Sequence, residues 1–243
     1  MQDFYAPGPL GPIECIIEHN QASTNTVLVM SHGFRGSRES GGYAKGTAVA
    51  AARWCDVVRY NFTGTQKLSL QVSELAAVVQ EIRRQKPDCK IFLLGRSMGG
   101  AASILYASQD PKIAGLILWS APHNLAEAFV NVMSEEAFLK LQRGEILHLD
   151  DERGCCDITP DFLTDYYALE LEKKYAVWNG RPVLLLHCEG DEQVPVAQAY
   201  LNCELLGACC EAHIFPHGSH SICEYTKETA ELIPSWLQKH YCK

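Results

Sequence analysis

Three features that would assign this chain to a special class of protein are missing from its 243 residues. No apolar run approaches the roughly 20 residues of a membrane-spanning helix, so we expect no membrane span. Basic residues are outnumbered, with 21 Lys and Arg against 29 Asp and Glu and a formal net charge of −8, which argues against a nucleic-acid partner. The first residues contain neither a basic segment nor an apolar one, so we predict no secretory signal and a cytoplasmic protein.

Cysteine is abundant, but the spacings that mark a disulfide framework or a zinc site are missing. The eleven cysteines are odd in number, include the adjacent pairs Cys155-Cys156 and Cys209-Cys210, and form no C-x-x-C motif. We therefore predict reduced, mostly buried thiols and no metal site. With 47% hydrophobic residues, a chain of this length forms one domain and buries enough apolar surface to fold without cross-links.

Short apolar runs alternate with amphipathic stretches along most of the chain. The runs predict strands at residues 26–30, 56–60, 90–94, 113–119, 182–187 and 211–215, with an edge strand at 13–18. The amphipathic stretches predict helices at residues 43–54, 70–85, 100–109, 198–206 and 226–241. Because runs that are apolar on both faces are typical of a doubly covered sheet, we predict an α/β fold. Its sheet is mostly parallel and twisted, with helices on both faces.

Residues 123–180 interrupt this alternation, because they contain no run typical of a buried parallel strand. The patterns in this segment predict helices at 127–133 and 135–142, a hairpin joining 145–150 to 155–158, and one helix from Thr159 to about residue 174. We interpret residues 123–180 as a lid over the carboxyl edge of the sheet, inserted between the core segments 1–122 and 181–243. Its large apolar side chains are expected to pack on that edge, namely Phe129, Phe138, Leu147, Phe162, Tyr166 and Tyr167.

The most specific signal is a G-x-S-x-G motif at residues 95–99, which follows one apolar run and precedes a helical pattern. This context is typical of a nucleophile elbow, in which Ser97 occupies a strained turn between a strand and a helix. Gly95 and Gly99 let the backbone pass closely at that turn. The start of the following helix then faces an oxygen that gains negative charge during acyl transfer.

A serine nucleophile needs a base and an acid that orients the base. The loop after the predicted strand at 182–187 contains Asp191, with Glu189 and Glu192 as competitors for the acid. The loop after the last predicted strand contains two histidines, His217 and His220. Both loops follow the carboxyl ends of strands, where active sites of α/β proteins are found.

Acyl transfer also needs hydrogen-bond donors for the developing oxyanion. The backbone N–H of Met98, directly after the predicted nucleophile, is one candidate. The second is the N–H of Phe34, in the loop after the first central parallel strand, where Gly33 permits the turn. His32 in the same loop could act as a base, but we favour a structural role in which its ring hydrogen-bonds the loop.

These motifs together resemble the α/β-hydrolase superfamily, and in particular small cytosolic esterases similar to cinnamoyl (feruloyl) esterases and the serine-aminopeptidase-like hydrolases. The matching segments occur in the expected order at residues 32–36, 95–100, 191–195 and 216–220. The family's P-x-x-x-H spacing selects His220, and its D-x-x-V-P pattern selects Asp191. The resemblance thus implies a Ser97, Asp191 and His220 triad, an oxyanion hole from Phe34 and Met98, no cofactor, and a lid carrying a β-hairpin.

Three positions differ from the family pattern. Arg96 stands where a histidine is common, Cys188 replaces a glycine, and the loop at residues 60–66 is shorter than in relatives. We predict a serine hydrolase that cleaves carboxylic esters of small or aryl substrates through an acyl-enzyme. The alternatives are a thioesterase or a small-amide or peptide hydrolase of the same fold, and a hydrolase-fold binding protein without catalysis.

Overall fold

The computed structural model describes residues 1–20, 24–40, 43–64 and 66–241, and a mixed β-sheet forms its centre. The strands are β1 Gln2–Gly8, β2 Gly11–Glu18, β3 Thr26–Ser31, β4 Asp56–Tyr60, β5 Lys90–Arg96, β6 Ile113–Trp119, β7 Leu147–Asp151, β8 Gly154–Ile158, β9 Val183–Cys188 and β10 Cys210–Phe215. Eight of them form one sheet in the order β1-β2-β4-β3-β5-β6-β9-β10. All neighbours from β4 to β10 are parallel, whereas β2 pairs antiparallel with both β1 and β4.

Helices cover both faces of this sheet, as the alternation of patterns predicts. They are α1 Tyr43–Ala51, α2 Leu68–Gln85, α3 Met98–Gln109, α4 Leu125–Met133, α5 Glu135–Gln142, α6 Asp161–Ala168, α7 Leu171–Ala176, α8 Val196–Leu206 and α9 Thr226–Tyr241. Val27 and Val29 join the core beneath α2 and α3, whereas Leu28 and Met30 join the core beneath α1 and α9, because successive side chains of a strand point to opposite faces. Among the helices of the described residues, none has the length and apolarity needed to cross a membrane.

The beginning of the chain departs from the sequence prediction. The strand predicted at 13–18 as an edge strand is β2, which has a neighbour on each side and is therefore not at the edge. The edge is occupied by β1, which forms a hairpin with β2 and was not predicted. Most β1 side chains are exposed and only Ala6 is buried. Its sequence therefore lacks the apolar run by which the other strands are identified.

The segment between β6 and β9 contains the two predicted helices α4 and α5 and the predicted hairpin, β7 paired with β8. The single helix predicted from Thr159 is wrong, because α6 ends at Ala168 and α7 begins at Leu171. Between them Glu170 adopts a left-handed backbone with φ +48°, which interrupts a right-handed helix. Tyr167 is 55% exposed rather than packed on the sheet. That residues 123–180 act as a lid separate from the core stays a prediction.

The thiols are less buried than the sequence suggested. Only Cys15, Cys55 and Cys188 are buried among the ten cysteines that the structure describes, and each of the ten is a free thiol. Cys242 lies outside the described residues. The prediction of mostly buried thiols is therefore wrong for the described part of the chain, because many of its cysteines lie on helix ends, edge strands and the hairpin.

We expect all eleven cysteines to be present as free thiols in protein protected from air. Titration with a thiol reagent in denaturant, without prior reduction, should count eleven. The same titration after reduction provides the control and should give the same number. A count that is lower by an even number before reduction would contradict this prediction, since each disulfide removes two thiols.

Candidate active site

Ser97 occupies the turn between the end of β5 and the start of α3. Its backbone has φ +52° and ψ −126°, a conformation that non-glycine residues rarely adopt and that costs on the order of 1–3 kcal/mol. Its N–H donates a hydrogen bond of 2.8 Å to the carbonyl of Trp119 on the neighbouring strand β6. A Cβ on Gly95 would lie 2.3 Å from the carbonyl oxygen of Gly99, and one on Gly99 would lie 2.4 Å from the carbonyl oxygen of His32. Both motif glycines are therefore required by close backbone packing.

Asp191 lies in the loop that follows β9, with its carboxylate wholly buried. One carboxylate oxygen accepts hydrogen bonds from the backbone N–H groups of Gln193 and Val194, each at 2.9 Å. Burial by itself would raise the pKa of Asp191, but the hydrogen bond and charge of His220 and the Val194 N–H outweigh it and hold that pKa below its usual value. Asp191 is therefore ionised at neutral pH.

His220 follows β10 and faces Asp191. Its Nδ1 lies 2.8 Å from Oδ2 and 3.0 Å from Oδ1 of that carboxylate, and the residue is 3% exposed. Since the carboxylate can only accept, Nδ1 carries the proton and Nε2 is left to exchange protons with a reactant. The other sequence candidates, His217, Glu189 and Glu192, are exposed. The structure thus brings Asp191 and His220 together and leaves their competitors apart.

Ser97 and His220 open onto one cleft, with a volume of about 830 Å³. Three arginines, Arg35, Arg96 and Arg153, and the acidic Glu152 and Glu192 also line it. Among the described residues, no group of three or more His, Cys, Asp and Glu side chains is arranged to hold a metal ion. The cleft thus contains a hydroxyl and an imidazole, and the imidazole contacts the buried carboxylate of Asp191.

Two backbone N–H groups lie beside Ser97. Met98 begins α3 directly after Ser97. Gly33 lies so close to the turn that a Cβ built on it would be 3.1 Å from the Cβ of Ser97, and this places Phe34 next to the turn. Within residues 1–20, 24–40, 43–64 and 66–241, the N–H groups of Phe34 and Met98 have no backbone acceptor. Both are available to a ligand oxygen at Ser97.

His32 supports the loop that carries Phe34. Its Nδ1 lies 2.9 Å from the carbonyl oxygen of Gly33, and its Nε2 accepts a hydrogen bond of 3.1 Å from the N–H of Phe62. Burial, with a smaller effect from the Arg96 charge, lowers the pKa of His32 to about 4. The ring is therefore neutral at pH 7 with both nitrogens occupied. This agrees with the structural role favoured from the sequence and not with a catalytic base.

We expect His32 to make folding stability depend on pH. Its folded pKa of about 4 lies below the unfolded value of about 6.5, so the unfolded chain binds the proton first. The stabilisation is complete above pH 6.5 and is lost as the pH falls towards 4. Urea denaturation at pH 7 and pH 5 should show that wild type loses about 1–2 kcal/mol more than His32→Gln. The exposed His217→Gln is the control, and equal pH dependence in wild type and His32→Gln would contradict the prediction.

His187 was missed by the sequence analysis. It lies on β9, and its Nε2 is 2.8 Å from the carbonyl oxygen of Val194 and 3.3 Å from Oδ2 of Asp191. Burial lowers the pKa of His187, so the ring is neutral, and its single N–H is on Nε2 because the carbonyl can only accept. His187 thus holds the loop that carries Asp191. The available signal was a polar residue in an otherwise apolar strand, four positions before Asp191.

Comparisons with known proteins find one matching sequence family and several solved structures of similar fold. Residues 25–144 match the sequence family described as serine aminopeptidase, S33. Among curated proteins, none matches the chain in sequence. The structure of Est1E from Butyrivibrio proteoclasticus superposes with a TM-score of 0.81 at 17% identity and covers 100% of both chains. The esterase domain of a Rhodothermus marinus protein superposes with a TM-score of 0.77 at 16% identity and covers 98% of each chain.

The chain has the α/β-hydrolase fold. This confirms the predicted fold class and the resemblance to the superfamily. Est1E has also been solved with ferulic acid bound, and that structure superposes with a TM-score of 0.80 at 17% identity, covering 99% of this chain and 100% of the other. The family match includes Ser97 and Phe34 but ends before Asp191 and His220.

In this α/β-hydrolase fold, a small apolar pocket of about 30 Å³ adjoins Ser97. Its lining includes Phe34, Met98, Leu125, Phe129, Phe162 and Val194. The ring of Phe129 lies 5.1 Å from that of Phe162 and 6.3 Å from that of Phe34, measured between centroids. Helices α4 and α6 therefore supply aromatic side chains to the pocket, as expected from the sequence for Phe129 and Phe162.

The β7-β8 hairpin contacts the loop that carries Phe34. The Arg35 guanidinium lies 2.6 Å from Oδ2 of Asp151 at the end of β7 and also donates to the carbonyl of Gly154. Only 6% of the Arg35 side chain is exposed, so the pair is shielded on the arginine side. The sequence does not predict this contact, because its two partners are 116 positions apart and neither stands in a motif that points to the other.

Proposed function

We propose that this protein is a serine hydrolase that cleaves carboxylic esters of small or aryl substrates through an acyl-enzyme. The observation that carries the proposal is the buried Asp191–His220 pair on the same cleft as Ser97. The strained turn at Ser97 adds support, because backbone strain of this kind is concentrated at functional sites.

In the proposed reaction, the Ser97 Oγ attacks the ester carbonyl carbon while Nε2 of His220 takes its proton. The N–H groups of Phe34 and Met98 stabilise the negative oxygen of the tetrahedral intermediate. Asp191 orients the His220 ring and stabilises the imidazolium. His220 then donates the proton to the departing alkoxide, which leaves as an alcohol. Water attacks the acyl-enzyme with His220 again as base, and the bond between the acyl carbon and the Ser97 Oγ breaks. His220 returns the proton to that Oγ, and the acid is released.

The choice of small or aryl esters rests on the pocket beside Ser97. Aromatic rings from Phe34, Phe129 and Phe162 line this apolar pocket, which suits a flat or short apolar group better than a long flexible chain. The related fold of Est1E with ferulic acid bound supports an aryl acid as the acyl group. Each buried methylene contributes about 0.8 kcal/mol, so the length of the acyl group should strongly affect kcat/KM.

A fluorophosphonate probe tests the proposal, since it reacts with an activated serine and leaves an ordinary one unmodified. We expect wild type to be labelled at Ser97 and Ser97→Ala to be neither labelled nor active on any ester. Ser37→Ala, which removes another hydroxyl from the same cleft, is the matched control and should keep both properties. Folded wild type that resists the probe would instead support a binding protein without catalysis.

A further inference from the structure

A group of thiols lies where α8 ends and β10 begins. Cys203 is on α8 and Cys210 is the first residue of β10, with 3.8 Å between their sulfurs, and both are partly exposed. Cys210 pairs with Val183 at the start of the parallel strand β9, whereas Ser97 follows the carboxyl end of β5. The thiol pair therefore lies at the edge of the sheet opposite the cleft, and the proposed hydrolase mechanism does not use it.

The hydrogen bonds distinguish the thiols of this group. The Cys210 thiol donates to the Cys203 sulfur, and this hydrogen bond lowers the pKa of Cys203 and raises that of Cys210. The neighbouring Cys209 thiol donates instead to the carbonyl oxygen of Leu206 at 2.9 Å, and burial raises its pKa. Because the thiolate is the reactive form, Cys203 is the nucleophile of the group and Cys210 is the thiol in contact with it.

We propose that Cys203 and Cys210 are a modification site, a dithiol that hydrogen peroxide oxidises to an internal disulfide. The Cys203 thiolate attacks one peroxide oxygen, an S–O bond forms, the O–O bond breaks, and the released hydroxide takes a proton to become water. The Cys210 sulfur then attacks the Cys203 sulfur, the S–S bond forms, and hydroxide leaves with the Cys210 proton as a second water. Two thiols are oxidised and one peroxide is reduced.

This disulfide would close a short loop between two consecutive elements, because only residues 207–209 separate α8 from β10. β10 is the last strand of the sheet and pairs only with β9 among the described strands. It leads into the loop of His220, whereas α8 follows the loop of Asp191. Because the link lies at the opposite edge, it can form without contact to Ser97. The proposal does not depend on the esterase activity and can be tested without a substrate.

The disulfide can be mapped by proteolysis because a glutamate lies between Cys203 and Cys210 in the sequence. Cleavage after Glu192, Glu204 and Glu211 leaves Cys203 in residues 193–204 and Cys210 in residues 205–211. The full chain is treated with one equivalent of hydrogen peroxide, alkylated, and digested with a glutamate-specific protease. We expect a peptide pair joined by a disulfide, absent before oxidation and separated by a reductant. Its formation should be at least about tenfold faster than oxidation of Cys89, whose pKa burial raises.

Variants identify the partner within residues 205–211. Cys209→Ser should keep the linked pair, whereas Cys210→Ser and Cys203→Ser should lose it. Fragment-ion sequencing of the linked wild-type peptides shows whether Cys203 is bonded to Cys209 or to Cys210. This measurement does not depend on whether a variant folds. The proposal is overturned if the bond joins Cys203 to Cys209, or if Cys203 and Cys210 are still alkylated after the exposed Cys155 and Cys223 have been oxidised.

Discussion

Replacing His220 with alanine should lower kcat by about four orders of magnitude or more, whereas His217→Ala should keep most of the activity. The reason is the contact at 2.8 Å between His220 Nδ1 and the buried Asp191 carboxylate, which leaves Nε2 facing the cleft of Ser97. His217 lies three residues earlier and is exposed. Steady-state kinetics on an activated aryl ester, at several pH values, measures both variants.

Two further observations keep this result interpretable. The near-ultraviolet circular dichroism of His220→Ala should match wild type, so that loss of activity is not loss of fold. Fluorophosphonate labelling of Ser97 should slow in parallel with kcat, because the serine has lost its base. If His217→Ala were the inactive variant and His220→Ala the active one, the assignment of the base would be wrong.

Replacing residues 145–158 with a short Gly/Ser linker should change which esters the enzyme prefers while Ser97 stays reactive. The deleted hairpin contains Asp151 and Gly154, which hold Arg35 next to the proposed oxyanion donor Phe34. Phe34 also lines the apolar pocket, so its displacement alters the space for the acyl group. We expect kcat/KM for aryl esters to fall about tenfold relative to short alkyl esters.

The comparison needs a control that keeps the hairpin. Asp151→Asn removes one charge of the ion pair but leaves β7 and β8 paired, so it separates the effect of the charge from that of the hairpin. Labelling of Ser97 by the fluorophosphonate must persist in every variant compared. A folded and labelled linker variant with the wild-type ranking of esters would show that the hairpin does not determine specificity.

The candidate site was predictable from the sequence where the residues of one short segment determine the local conformation. The elbow at residues 95–99 is such a segment, because its motif lies between a strand and a helix and Gly95 is required by a contact with Gly99 in the same turn. Gly99 itself is required by the carbonyl oxygen of His32, which belongs to a separate loop. Asp191 and His220 were harder, since Glu189, Glu192 and His217 have the same chemistry within a few positions. Family spacing selected them from the sequence, and burial now separates them from these competitors.

Other features could not be read from any one segment. β1 forms because a hairpin places it against β2, although its own residues lack an apolar run. The break at Glu170 depends on a single left-handed residue in a stretch with a helical pattern. His187 contacts Val194 only after the loop of Asp191 has turned back to its strand.

The sequence alone determined the α/β alternation, the tight turn at Ser97 and the residue types available as candidate acid and base, because these follow from periodicity and from the motif that lies between a strand and a helix. Tertiary structure decided which carboxylate and imidazole meet, and that Arg35 contacts the hairpin through Asp151. It also placed Cys203 against Cys210. Such contacts depend on burial and on distances between side chains of separate elements, and no local pattern contains either quantity.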